Sequence, residues 1–179
     1  MIDNLSRNCS FELIKVSSST LVLPDGTSIA LAAGRHNSLI KNIVEEFAQR
    51  FVSGPKIIFL GDAADKKIVA DVASMAELGI VLPERGKAPD VLIHDTERDW
   101  LFIIEAVTNH RPIDETRKNE LTELFADARP GLIFVTAFPD REISAEFIAA
   151  IAWETVAWFA DEPDHMIHYN GKRFLGPYA

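Results

Sequence analysis

Two apolar runs joined by a short polar turn constrain this chain more than any other feature. The stretch from Ala88 to Val107 reads APDVLIHDTERDWLFIIEAV, and both runs have the length and the β-branched or aromatic content of buried strands. Each nevertheless holds an ionisable group. Asp90 follows Pro89 at the start of the first run, and Glu105 interrupts the end of the second. An isolated buried carboxylate is costly unless something pairs with it. A turn as short as DTERD predicts antiparallel strands, with the start of the first beside the end of the second. Along the second strand, parity sends Trp100, Phe102, Ile104 and Ala106 to one face and Leu101, Ile103, Glu105 and Val107 to the other. Asp90 and Glu105 become neighbours, and like charges held that close need a cation or a shared proton.

Carboxylate oxygens with no Cys or His cluster beside them suit Mg²⁺ or Mn²⁺. Such an ion can activate water and stabilise charge developing on a phosphodiester. A structural alternative stands beside this one: Asp90 closes a turn after Pro89, and Glu105 forms an ion pair. The residue pattern leaves both open.

At 179 residues, 47% hydrophobic and 25% charged, the chain has the size and composition of one globular domain. No apolar run reaches the roughly 18 residues of a membrane span, and MIDNLSRNCSFELIK lacks a signal-peptide pattern. A single cysteine, Cys9, excludes an internal disulfide framework and a multi-cysteine zinc site. The expected compartment is the cytoplasm. The net charge of −9 opposes non-specific attraction to nucleic acid, although a local basic face is compatible with it.

Along the chain, residues 1–33 read as β-rich, with a hairpin through Asp25-Gly26 in TLVLPDGTSIAL. A helix is expected after Asn37, its apolar stripe made of Leu39, Ile40, Ile43, Val44, Phe47 and Phe51. PKIIFLGD reads as a short buried strand and Lys66 to Leu78 as a helix stopped by Gly79. After the two central strands come a helix over about Asp114 to Ala128, the strand GLIFVTAF, and a helix near Ser144 to Ala150. WETVAWFADE is ambiguous, and a last hairpin is expected through Asn170-Gly171. The order is mixed α/β, with a helix preceding the central strands and helices between later ones.

The acidic pair and several other segments carry a resemblance. A proline-aspartate opening one strand, then an acid late in the next, is similar to the PD-(D/E)xK nuclease core. RHNSLIKNIVEEFAQRF, IIFLGDAADKK, RGKAPDVLIHD, WLFIIEAVTNHRPID, GLIFVTAFPDR and IAWETVAWFADEPDHMIHYNGKRFLGPY resemble, in this order, the catalytic region of the BsuBI/PstI type II restriction endonucleases. The resemblance runs from about Gly34 to Tyr178, so residues 34–179 are expected to form a PD-(D/E)xK nuclease domain, with a mixed sheet of four or five strands flanked by helices. Residues 1–33 would be part of that domain or the remnant of a lost DNA-binding domain, since the family's enzymes look about twice as long.

The resemblance implies Mg²⁺-dependent cleavage of double-stranded DNA at a short specific sequence, with Mn²⁺ able to substitute. Asp90 and Glu105 carry over as catalytic metal ligands, and the Ala106 carbonyl as a further metal oxygen. A palindromic site would call for a homodimer. The sequence departs from the pattern in Glu105-Ala106-Val107, where the usual lysine two positions after the acid is missing. Lys87 is the first substitute, with Lys66 and Lys118 as alternatives. Arg111-Pro112 stands where the family has glycine before proline.

Other residues carry two readings each. Glu46, with Glu45 beside it, is either exposed or a helix acid reaching the metal. Asp62 is a third acid or a helix cap. Arg35, His36, Lys172 and Arg173 are surface groups or phosphate contacts. His165 and His168 fall on opposite faces of a strand, which argues for structural roles, and Trp153 and Trp158 are expected in the core, the other reading being an aromatic at a groove edge that touches a base. The alternative to an enzyme is a catalytically inactive DNA-binding or interaction module that kept the nuclease-like fold. A weaker option is a nuclease of this core acting on another nucleic acid.

Overall fold

Strands β1 (Ser19–Val22) and β2 (Ser28–Leu31) pair antiparallel around the expected Asp25-Gly26 turn. The Thr27 N–H donates to Asp25 Oδ1, and Gly26 takes φ 86°, a backbone conformation that suits glycine. The computed structural model describes residues 19–61, 67–83 and 87–171, so Cys9, Asp62, Lys66, Lys172 and Arg173 lie outside the described residues. Leu21 and Leu31 of the hairpin share one buried cluster with the helix after it.

That helix begins at Arg35 rather than after Asn37. It runs as α1 (Arg35–Asn42), a π-helical turn (Ile43–Phe47) and α2 (Ala48–Phe51). Asn37 lies inside the helix because its side chain is buried and donates to the Ala32 carbonyl, while Ser38 bonds back to the Gly34 carbonyl. The expected stripe is the buried face: Leu39, Ile40, Ile43, Val44 and Phe47 are at most 1% exposed.

The central sheet has seven strands among the described residues, more than expected, in the order β4-β3-β5-β6-β7-β8-β9. They are β3 (Pro55–Gly61), β4 (Lys67–Ala70), β5 (Val91–Asp95), β6 (Trp100–Ala106), β7 (Gly131–Phe138), β8 (Thr155–Phe159) and β9 (Met166–Tyr169). The β6–β7 and β7–β8 pairs are parallel and the rest antiparallel. The helix expected over Lys66 to Leu78 is in fact strand β4 followed by α3 (Val72–Leu78). β-Branched Ile68 and Val69 lie in the part that pairs with β3. Asp71 then caps α3 through the Ser74 N–H, and Gly79 ends it at φ 74°. α4 (Glu115–Leu124) is capped by Asp114, and α5 (Arg141–Ala145), capped by Asp140, is shorter and earlier than expected. The ambiguous WETVAWFADE contains β8, and β9 folds back on β8; residues 172–179 lie outside the described residues.

Strand parity decides the two layers. Val91, Ile93, Phe102, Ile104, Val135 and Ala137 pack with the long first helix. Leu92, Leu101, Ile103 and Phe134 pack on the other side with Met75 and Leu78 of α3 and Leu121 of α4. Trp158 is fully buried, but Trp153 is 61% exposed and does not join the core. It sits in a turn before β8, where its N–H donates to Glu115 and its carbonyl accepts from Lys118. No described helix is long and apolar enough to cross a membrane.

Candidate active site

The β5–β6 register sets Val91 opposite Ile104 and Asp95 opposite Trp100. One step further along, the same register brings Asp90 against Glu105. Asp90 Oδ2 accepts the Ala106 N–H at 2.8 Å, which fixes this carboxylate across the end of β6. Its carbonyl accepts the Gly61 N–H at 2.8 Å, tying the site to the end of β3. Glu105 Oε1 accepts from Arg117 Nε at 2.9 Å and Arg117 Nη2 at 2.5 Å. Burial, and then the charge of neighbouring Asp90, push the Glu105 carboxyl up to about 8 against the opposing pull of Arg117.

The start of α1 brings His36 in from the opposite layer. Its Nε2 stands 3.4 Å from Asp90 Oδ1, and neither buried ring nitrogen makes a well-formed hydrogen bond. Asp90 raises the imidazole pKa, burial opposes that, and the Ala106 carbonyl and Glu105 add to the rise.

These bonds engage one oxygen of each carboxylate. Among the described residues no N–H donor reaches Glu105 Oε2, the Glu105 and Asp90 carboxyls lie within hydrogen-bonding reach of each other, and Asp90 Oδ1 also faces the His36 ring. The oxygens on offer here are those of two carboxylates and, beside His36, the Ala106 carbonyl. No group of three or more His, Cys, Asp or Glu side chains that could hold an ion occurs among the described residues. So few oxygens suit a divalent cation that keeps several waters and uses one or two protein carboxylates better than a cation needing an all-protein cage.

Val107, in the lysine's sequence position, is 1% exposed and packs with Phe138, Ile151, Ala157 and Phe159. The Lys87 side chain is 69% exposed and pairs with Glu120 at 3.3 Å, while its backbone carbonyl accepts from Arg117. Lys118 Nζ donates to the Trp153 carbonyl at 2.8 Å. Glu46 pairs with Arg50, which also holds Asp164, and Glu45 accepts from Val22 N–H of the hairpin. Arg35 is exposed and lines a cavity of about 620 Å³ with Ser38, Asn42, Pro139 and Asp161. Arg111, His165 and His168 are exposed.

The basic group at the site is one that sequence reasoning passed over. Arg117 precedes Leu121 by one helical turn, and Leu121 is fully buried. A lone arginine on the apolar face of a short helix was the readable signal.

Residues 19–172 match the family model described as the BsuBI/PstI restriction endonuclease domain. The chain belongs to this family. It is 46% identical over 156 residues to the type II restriction enzyme BsuBI of Bacillus subtilis, covering 87% of this chain and 49% of that enzyme. Over 155 residues it is 30% identical to the type II restriction enzyme AplI of Arthrospira platensis, covering 83% and 48% respectively. Among solved structures, the SdaI restriction endonuclease superposes with a TM-score of 0.83 at 42% identity, over 90% of this chain and 51% of that one. The chain thus spans about half the length of the relatives it matches, and the expected mixed α/β restriction-endonuclease fold holds.

Proposed function

We propose that this chain is the catalytic domain of a type II restriction endonuclease that hydrolyses phosphodiester bonds of double-stranded DNA at a specific sequence. One observation carries the reading: Asp90 and Glu105 meet at the end of paired strands, each with one oxygen fixed by a donor of the protein and the other facing, among the described residues, only the neighbouring carboxyl or, at 3.4 Å, the His36 ring. Family membership supports it.

Asp90, Glu105 and the Ala106 carbonyl would hold Mg²⁺, for which Mn²⁺ can substitute. When bound, the ion supplies an acidified water and positive charge at the phosphate. The protein's own part is orientation. The Ala106 N–H keeps Asp90 turned to the strand end, and the Arg117 guanidinium keeps Glu105 beside it. A palindromic target would be cut by a homodimer, each subunit hydrolysing one strand.

A plasmid-nicking assay with Mg²⁺ tests the reading by comparing the native chain with Asp90→Ala and Glu105→Ala. Cleavage by the native chain, lost in both variants, is the expected result. No cleavage by the native chain with any divalent ion leaves the non-catalytic DNA-binding module instead. Mapping the cut ends on a defined fragment separates specific restriction from general nuclease action.

A further inference from the structure

The position two residues after Glu105 is closed to a catalytic lysine by packing. Val107 donates its N–H to the Ala137 carbonyl and is buried among Phe138, Ile151 and Phe159. A charge there would be placed in an apolar cluster. If the chain cleaves DNA, its cation must come from another element.

Helix α4 carries one to the site. Ile113 is fully buried, and its N–H donates to Thr136 Oγ1 at 3.1 Å, which anchors the approach to the helix. Asp114 caps the helix by accepting the Arg117 N–H at 2.8 Å, so the backbone of Arg117 is itself part of the cap. From there the guanidinium reaches Glu105 Oε1, the carbonyls of Lys87 and Ala88 at 3.2 and 3.4 Å, and Glu120 Oε2 at 3.4 Å. Its side chain is only 20% exposed, whereas Lys87 and Lys118 are drawn to Glu120 and to Trp153.

Resting on the nuclease reading above, we infer that Arg117 is the cationic catalytic residue of this site, contacting the scissile phosphate in the role that a lysine two residues after Glu105 would otherwise fill. Arg117 stays protonated throughout, because a guanidinium does not give up its proton in a protein. Its contribution is charge stabilisation at the phosphate, and it takes no part in proton transfer. The Nη1 contact to Glu120 and the Nη2 contact to the Ala88 carbonyl, both 3.4 Å, are the longest of its bonds and the ones most easily exchanged for a phosphate oxygen.

The test uses single-turnover cleavage in Mg²⁺ together with calorimetric Mn²⁺ binding to the DNA-free protein, for the native chain, Arg117→Ala, Arg117→Gln and Arg117→Lys. Loss of one preorganised donor predicts cleavage roughly 100-fold slower or more in the Ala and Gln variants. Arg117→Lys should regain at least about 10-fold of that, and every variant should bind Mn²⁺ no more weakly than the native chain. The near-isosteric Gln variant carries the test if the Ala variant does not fold. Cleavage within about 3-fold of native in the Gln variant overturns the inference. So does Mn²⁺ affinity that falls in step with cleavage, which would make Arg117 a support for Glu105 alone. Absence of cleavage by the native chain overturns the nuclease reading first, and this inference with it.

Discussion

At the turn end of the β5–β6 ribbon, Asp95 is completely buried and surrounded by donors. It accepts from the N–H groups of Ser53, Glu97 and Arg98 at 2.9, 3.2 and 2.9 Å, and from Arg98 Nε at 2.7 Å. Burial alone would raise its pKa, yet the Arg98 pair and the backbone N–H groups outweigh it and hold the carboxyl below the usual range. Arg98 in turn stacks over Trp100, 4.4 Å from the ring centre. At the open end of the same two strands, Asp90 and Glu105 are packed against each other, and the second oxygen of each faces, among the described residues, only the neighbouring carboxyl or, at 3.4 Å, the His36 ring. Burial and the Asp90 charge push Glu105 the opposite way, to about 8. Acids on the same two strands thus differ by end: a saturated carboxylate locks a turn, and an unsaturated pair marks the candidate site.

The largest effect that would break this contrast is on cleavage. Asp90→Asn and Glu105→Gln should each slow Mg²⁺-dependent cleavage by at least about 10³-fold, with thermal midpoints close to native. Retained cleavage in either variant would reduce the open end to structure as well. Next in size, Asp95→Asn should cost roughly 3 kcal/mol in urea denaturation, because it leaves Arg98 and three N–H groups without their charged partner. Cleavage per folded molecule should stay near native.

The two ends should also differ in the sign of their pH dependence. Glu105 has a raised folded pKa, so its contribution to stability is complete below about pH 4.5 and is lost as pH rises toward about 8. Asp95 has a depressed folded pKa, so its contribution is present above about pH 3.8 and is lost as pH falls further. Urea midpoints of metal-free protein between pH 3 and 9 should therefore decline on both sides. Glu105→Gln should flatten the alkaline limb and leave the acid limb in place; an alkaline limb unchanged in that variant would remove Glu105 as its source. The smallest effect belongs to Glu46, an exposed acid paired one turn away with Arg50. Glu46→Ala should change stability by no more than about 0.5 kcal/mol and cleavage by less than about 2-fold. A larger loss of cleavage would draw Glu46 into the metal chemistry.

Much of this was legible because it is local. Asp25-Gly26 dictates its hairpin, the apolar stripe from Leu39 to Phe47 dictates a buried helix face, and the turn from Thr96 to Asp99 makes β5 and β6 antiparallel. Asp90 meets Glu105 for the same reason. Both sit on strands joined by one short link, so period-two alternation and turn length alone specify their adjacency. The helix expected over β4 fails because IVA has no period of its own over so short a run; pairing with β3 decided it.

The sequence by itself determined an acidic pair at a strand end and a nuclease-like order of elements. Tertiary packing decided what surrounds that pair. Arg117 reaches Glu105 only because α4 docks against Leu101 and Ile103 on one face of the sheet, and His36 reaches Asp90 only because α1 docks against Ile104 and Ala106 on the other. Neither docking has a short-range code. Each arises from how whole apolar faces close around the sheet, the non-directional, area-dependent force that no local pattern records.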